Sequence, residues 1–234
     1  MARILLINPN STVSMTERAV GAARAVAGPD TTVIGRTSHA GPPAIQGPAD
    51  GLAALPGLFA EIKAAEGDDF DAIIIACFDD TGLYEARRLT PVPVIGIGEA
   101  AFHAAMFIAE RFSVVTTLSV SVPVIEANLE HFGLGARCAR VRASEVAVLE
   151  LEQPGSNAYK KISAEIAVAL KTDGADAIVL GCAGMADLAE RLATDHGVPV
   201  IDGVAAAVKA AEGLIALGLQ TSQAGAFRSA GSQS

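Results

Sequence analysis

Two cysteines stand at matching places in this chain. Cys77 closes the run Asp71-Ala72-Ile73-Ile74-Ile75-Ala76, and Cys182 closes Asp176-Ala177-Ile178-Val179-Leu180-Gly181, 105 positions later (71 to 176). Paired thiols suit one reaction in particular, the inversion of a carbon stereocentre beside a carbonyl. That inversion needs a base on one face to take the proton and an acid on the other to return one. Two groups of the same type suffice, each serving as base in one direction and acid in the other. A free thiol titrates near about 8.5, and a helix N-terminus lowers this value. With helix starts predicted near Thr81 and Met185, both cysteines are expected to be partly thiolate at neutral pH. The developing enolate also needs N–H donors. The turns Phe78-Asp79-Asp80, Ala183-Gly184-Met185 and Pro9-Asn10-Ser11-Thr12 can supply them, together with Thr116 and Thr117.

A single buried cysteine is more often a small core hydrophobe than a catalyst. The repeat is what separates these two from that reading, because it extends on both sides of each thiol. Ala60-Glu61-Ile62 upstream pairs with Ala164-Glu165-Ile166, and Pro93-Val94-Ile95 downstream pairs with Pro199-Val200-Ile201. Cys138 has no counterpart and lies between Arg137 and Arg140, so it is read as structural or surface. Asp79 and Asp80 have an alternative role as helix caps ahead of Thr81, and Asn10-Ser11-Thr12 can cap the first helix.

The elements that must position the thiols follow from hydrophobic periodicity. Short apolar, β-branched runs alternate with alanine-rich amphipathic stretches, the pattern of parallel strands joined by helical crossovers. Strands are predicted at Arg3 to Asn8, Thr31 to Gly35, Asp71 to Cys77, Val94 to Ile97, Phe112 to Thr116, Ala139 to Val141, Ala177 to Gly181 and Val200 to Ile201. Helices are predicted around Ser14 to Val26, Gly51 to Gly67, Ala100 to Arg111, Val122 to Phe132, Ala158 to Thr172, Met185 to His196 and Val204 to Leu217. Near-continuous apolar strands indicate sheets covered on both faces.

A weaker echo sets Ile4 to Asn8 opposite Phe112 to Thr116, so each half opens with an equivalent strand. The expected fold is α/β with two pseudo-symmetric lobes, each a mostly parallel sheet flanked by helices. Residues 1–97 with 204–234 form the first lobe and 98–203 the second. Ligands of parallel sheets lie beyond the carboxyl ends of the strands, which places the active site in the cleft between the lobes, with the cysteines opposed across it. The tail beyond Gln220 is expected to be frayed.

Composition narrows the remaining classes. The formal charge is -9, and the only lysines are Lys63, Lys160, Lys161, Lys171 and Lys209, which leaves no basic stripe for nucleic acid. The apolar runs are far shorter than the roughly 20 residues that span a bilayer, and no signal peptide is legible at the start. Three cysteines without a CxxC pattern point to reduced thiols and a cytoplasmic setting. No lysine stands at a strand end beside a glycine-rich loop, as a pyridoxal enzyme would need, so no cofactor is expected. His39, His103, His131 and His196 form no ligand pattern, and no metal is expected. Gly96-Ile97-Gly98 lacks the third glycine of a dinucleotide loop and is read as a tight strand-to-helix turn.

Three stretches, Ile7-Asn8-Pro9-Asn10-Ser11-Thr12, Ala76-Cys77-Phe78-Asp79-Asp80-Thr81-Gly82-Leu83 and Leu180-Gly181-Cys182-Ala183-Gly184-Met185, resemble the signature segments of the hydantoin racemases. These enzymes belong to the aspartate/glutamate racemase superfamily. Gly41 to Gly47, Phe112 to Leu118 and Gly218 to Ser222 fit as well, so the resemblance covers almost the whole chain. It implies a two-lobed α/β fold, no cofactor, Cys77 and Cys182 as the catalytic pair, and a 5-substituted hydantoin or allantoin as substrate. Asn10, Ile45, Phe78, Asp79, Thr116, Thr117 and Gly184 sit in segments expected to touch the ring. Amino-acid racemases of the superfamily carry Asn-Thr after the first cysteine and Thr-His after the second. Phe78-Asp79 and Ala183-Gly184 replace them here, which favours a neutral cyclic diamide over a zwitterion.

The expected function is therefore cofactor-independent racemisation of a 5-substituted hydantoin, in a protein that forms a homo-oligomer. Allantoin racemisation is the nearest alternative, followed by a decarboxylase or isomerase of the same superfamily. From a different class, a non-catalytic small-molecule sensor would keep the cleft without the chemistry.

Overall fold

The computed structural model describes residues 1–153 and 155–228. Eight strands fall into two four-stranded parallel sheets. The first has order β2-β1-β3-β4, built from β1 (Ala2–Asn8), β2 (Thr31–Thr37), β3 (Ala72–Ile75) and β4 (Val94–Gly96). In the second, β5 (Phe112–Thr116), β6 (Cys138–Ala143), β7 (Ala177–Gly181) and β8 (Val200–Ile201) take the same order, β6-β5-β7-β8. The repeat read from sequence is thus a repeat of topology, and it reaches individual hydrogen bonds. Asp71 N–H donates to Arg3 O and Asp176 N–H to Arg111 O, each at 2.8 Å. Ser38 N–H donates to Asn8 O and Ser144 N–H to Thr116 O, each at 2.9 Å.

Strands β3, β5 and β7 are buried at every position, because both faces of each sheet are covered. On the outer face of the first sheet, Leu5, Ile7, Ile73 and Ile75 pack on Leu58 and Ile62 of α2 (Pro48–Ala64). Val115, Ile178 and Leu180 of the second sheet pack on Ile162, Ile166 and Ala169 of α6 (Ala158–Thr172). The inner faces share one core. Ile4, Leu6 and Ile74 from one sheet and Val114 and Val179 from the other join the helices between them. Those helices are α1 (Val13–Val26), α4 (Ile97–Ile108), α5 (Val122–His131) and α8 (Gly203–Ala216). Helix α8 buries Val204, Ala207, Val208 and Ala211, the spacing of one helical face. Each fully buried Leu, Ile or Val contributes roughly 1.5–3 kcal/mol, so the shared layer holds the two halves against each other.

Several boundaries differ from the sequence reading for local reasons. Helix α2 starts at Pro48, not Gly51, since proline is accommodated at a first helical position and Gly47 supplies φ 99° ahead of it. The helix expected after Cys77 shrinks to the single turn α3 (Leu83–Ala86), and the one expected from Met185 begins as a 3₁₀ segment, Ala183–Leu188, before α7 (Ala189–His196). The tail is not frayed over its described part. Thr221 donates from its N–H to Pro91 O (2.9 Å) and from its hydroxyl to Val92 O (3.0 Å), and Arg88 Nε donates to Ala226 O (2.8 Å). Residues 229–234 of that tail lie outside the described residues.

Candidate functional site

Strands β3 and β7 are the equivalent third strands of their sheets, and each delivers its cysteine just past its carboxyl end. Cys77 follows β3 by two residues and Cys182 follows β7 directly. Both sulfurs reach one cavity, walled also by Asn10, Met15, Ile45, Ala76, Phe78, Asp79, Thr117, Ser121, Val148, Gly181 and Ala183. The backbone N–H two positions on, of Asp79 for Cys77 and of Gly184 for Cys182, favours each thiolate. Cys77 Sγ also lies 3.4 Å from Thr81 Oγ1. The N–H groups of Phe78 and Ala183, directly after the thiols, meet no protein acceptor among the described residues.

Contrary to the expectation from the helix starts, neither thiol is lowered. Burial, with the Asp79 carboxylate nearby, raises Cys77 far above the usual thiol range. Burial raises Cys182 to about 12, with Asp79 and Glu152 adding to the effect. One turn of helix and a 3₁₀ segment carry too little aligned dipole to offset that desolvation. Asp79 is itself raised to about 6 by burial, and a hydrogen bond from Ser121 holds it down in part.

Asp80 does not cap the helix of its own segment. At φ 48° it turns its carboxylate onto a distant helix start, accepting Gly98 N–H at 2.9 Å and Glu99 N–H at 2.7 Å. It therefore caps α4 and ties the Cys77 turn to the shared core. The glycines make this possible. A Cβ at Gly96 would lie 2.1 Å from Asp80 Oδ1, and one at Gly98 would lie 2.5 Å from Phe78 O. Gly96-Ile97-Gly98 is thus a seat for the aspartate of the Cys77 turn. Phe78 adds a second anchor, its ring meeting Phe102 of α4 edge-on at 5.4 Å.

Asn10 is held for donation. Its Oδ1 accepts Asn8 Nδ2 (2.9 Å) and Thr12 N–H (3.0 Å), while among the described residues its Nδ2 meets only Met15 Sδ, at 3.6 Å. Of the residues expected to touch a ring, Asn10, Ile45, Phe78, Asp79 and Thr117 line the cavity. Thr116 does not. Its hydroxyl donates to Gly181 O at 2.8 Å, bracing β5 against the strand end that carries Cys182. Gly184 acts from beside the cavity, through its N–H on the thiol. Met15, Ser121 and Val148 were not singled out from sequence. Ser121 lay in the turn after β5 already marked by Thr116 and Thr117, whereas Met15 and Val148 are apolar residues with no distinguishing local signal.

Two loops at equivalent places cover the site, residues 38–47 after β2 and 144–153 after β6. They meet across the cavity, where Val148 N–H donates to Gln46 Oε1 at 3.1 Å. Arg18 of α1 holds the second loop, donating to Leu151 O at 3.1 Å and pairing with Glu152 at 3.2 Å. The cavity is narrow, about 40 Å³, and stays partly open to solvent. Among the described residues, no group of three or more His, Cys, Asp and Glu side chains could hold a metal ion, and no helix is long and apolar enough to cross a membrane.

The model of the Asp/Glu/Hydantoin racemase family matches residues 4–211, nearly the whole two-sheet unit. The chain belongs to that family. Membership places this racemase-family chain among isomerases, and its similarity to individual members is close. It is 48% identical over 224 residues to the hydantoin racemase of Rhizobium meliloti, covering 96% of this chain and 93% of that one. Among solved structures, allantoin racemase from Klebsiella pneumoniae superposes with a TM-score of 0.96 at 44% identity, covering 100% of this chain and 96% of that one. Allantoin racemase from Pseudomonas fluorescens gives 0.95 at 42%, covering 99% and 98%.

Proposed function

We propose that this chain racemises 5-substituted hydantoins by two-base proton transfer between Cys77 and Cys182. The observation that carries the reading is that both cysteines, from equivalent strand ends, line one cavity. One thiolate removes the C5 proton, and the electron pair of the C–H bond passes into the neighbouring carbonyl as an enolate. The opposite thiol then protonates C5 on the other face, leaving the pair with thiol and thiolate exchanged. A thiol raised by burial gives a scarce but strongly basic thiolate, suited to a weak carbon acid. Asn10 Nδ2 and the N–H groups of Phe78 and Ala183 are the donors for the enolate oxygen, and Asp79, Ser121 and Thr117 meet the ring amides.

Racemisation of each enantiomer in deuterium oxide, followed by circular dichroism and by label at C5, tests this. Loss of either thiol, in Cys77→Ala or Cys182→Ala, is expected to lower racemisation by about 10²–10⁴. Wild-type rates in both variants would dispose of the two-thiol mechanism. Binding of hydantoins by the wild type with no exchange at C5 would favour a sensor instead. Allantoin, itself a 5-ureidohydantoin, is the second reading, favoured by the 42–44% identity to two allantoin racemases.

The reading includes a reduced, cytoplasmic setting and self-association. Phe107 and Leu217 are 87% and 72% exposed beside an apolar groove between α4 and α8, a face that a second copy would cover. A light-scattering mass equal to the monomer would overturn that part.

A further inference from the structure

We propose that Met15, Ile45 and Val148 form the wall that receives the substituent at C5, and that they select a short alkyl group over the ureido group of allantoin. This rests on the hydantoin reading above. Opposed thiols must face C5 from the two sides of the ring plane, so the ring lies between the sulfurs and presents its perimeter to the rest of the cavity. Four of the five perimeter positions are N–H or C=O, and C5 is the one apolar exit. The wall divides in the same way. Asn10, Asp79, Thr117 and Ser121 supply polar atoms, with Ser121 hydrogen-bonded to Asp79. Met15 and Val148 pack together with Ala44 in an apolar cluster of their own, apart from the sheet cores, and Cys182 lies against it.

That cluster has little to offer a polar substituent. A ureido group brings three N–H hydrogens and a carbonyl into the exit. The heteroatoms of that cluster are sulfurs, Met15 Sδ and Cys182 Sγ, which accept hydrogen bonds only weakly, and the Val148 N–H is taken by Gln46 Oε1. Buried polar groups left without partners weaken binding, whereas an alkyl chain gains from the same surface. Val148 lines the cavity from the second loop, so its side chain limits how long a substituent the site holds.

The test is kcat/KM on 5-isobutylhydantoin, 5-benzylhydantoin and allantoin, each corrected for uncatalysed racemisation, with thermal melting as the folding control. The wild type is expected to prefer the isobutyl compound to allantoin by at least about tenfold. Val148→Thr, which exchanges a methyl for a hydroxyl at similar volume, is expected to narrow that ratio about tenfold. Val148→Ala is expected to raise benzyl over isobutyl by a similar factor. Equal or reversed preference in the wild type overturns the wall assignment while leaving racemisation intact. So do unchanged ratios in either folded variant. Failure of the wild type to turn over any hydantoin would instead overturn the functional reading, and the wall assignment with it.

Discussion

Replacing Gly98 by alanine tests whether the Asp80 cap seats Cys77. The new Cβ would lie 2.5 Å from Phe78 O and 2.8 Å from Asp80 Oδ2. The first of these is backbone and has no rotamer through which to yield. Either the 77–80 turn or the start of α4 must move, and the Asp80 carboxylate loses its seat on Gly98 and Glu99 N–H, now 2.9 and 2.7 Å away. A hydrogen bond to a charged group contributes about 1.5–3 kcal/mol, and a lost N-cap costs about 0.5–2 kcal/mol. Since partial relaxation recovers some of this, a loss of about 2–4 kcal/mol is expected. At about 2–4 °C per kcal/mol for a chain of this size, Tm should fall by about 5–15 °C. Cys77 is three residues from Asp80, and a shift of about 1 Å in a catalytic group costs about 10² in rate. Differential scanning calorimetry and kcat for racemisation read the two effects, and Asp80→Asn, which keeps one carbonyl acceptor, should fall between variant and wild type. A Gly98→Ala protein with wild-type Tm and kcat would refute the reasoning.

Two further outcomes concern pH. Both thiols lie above the neutral range, with Cys182 near 12, so the thiolate fraction grows with every unit of pH; kcat/KM should rise about tenfold per unit between about pH 6.5 and 9, and a plateau from pH 7 would contradict it. Asp79→Asn removes the negative charge that raises both thiols, so the rising limb should move to lower pH, and movement the other way would exclude Asp79 as the controlling charge. Away from the site, Arg142 holds Asp173 down at about 2. A folded pKa below the unfolded value of about 3.9 gives stability that is present above about pH 4 and lost as pH falls from 4 to 2. The urea midpoint of Asp173→Asn should therefore vary less with pH over that window than the wild type's, and an identical dependence would count against the ion pair.

Much of the architecture is legible in the residues because burial on two faces forces continuous apolar strands. Phe112–Thr116, Ala177–Gly181 and Val200–Ile201 are strands at the predicted bounds. The short elements after the cysteines were read less well, since four-residue and 3₁₀ turns carry no periodicity to detect. Residues 221–228 of the tail depart from the sequence reading for another reason. Its Ser, Gly and Gln composition is that of a loose end, but Thr221 completes hydrogen bonds to Pro91 and Val92 that only the folded first sheet presents.

The two cysteines, their equivalence and their strand-end positions follow from the sequence alone, because an internal repeat maps onto an internal symmetry without reference to packing. Their ionisation does not. The local signal, a helix start after each thiol, pointed to lowered values, and it lost to desolvation and to Asp79, which the fold brings near both sulfurs. The same holds for the cavity wall. Met15, Ile45 and Val148 are ordinary apolar residues on a helix and two loops, and Asp80 is an ordinary turn residue until α4 starts beneath it. Contacts of that kind join residues 18 to more than 100 positions apart, so only the tertiary structure decides them.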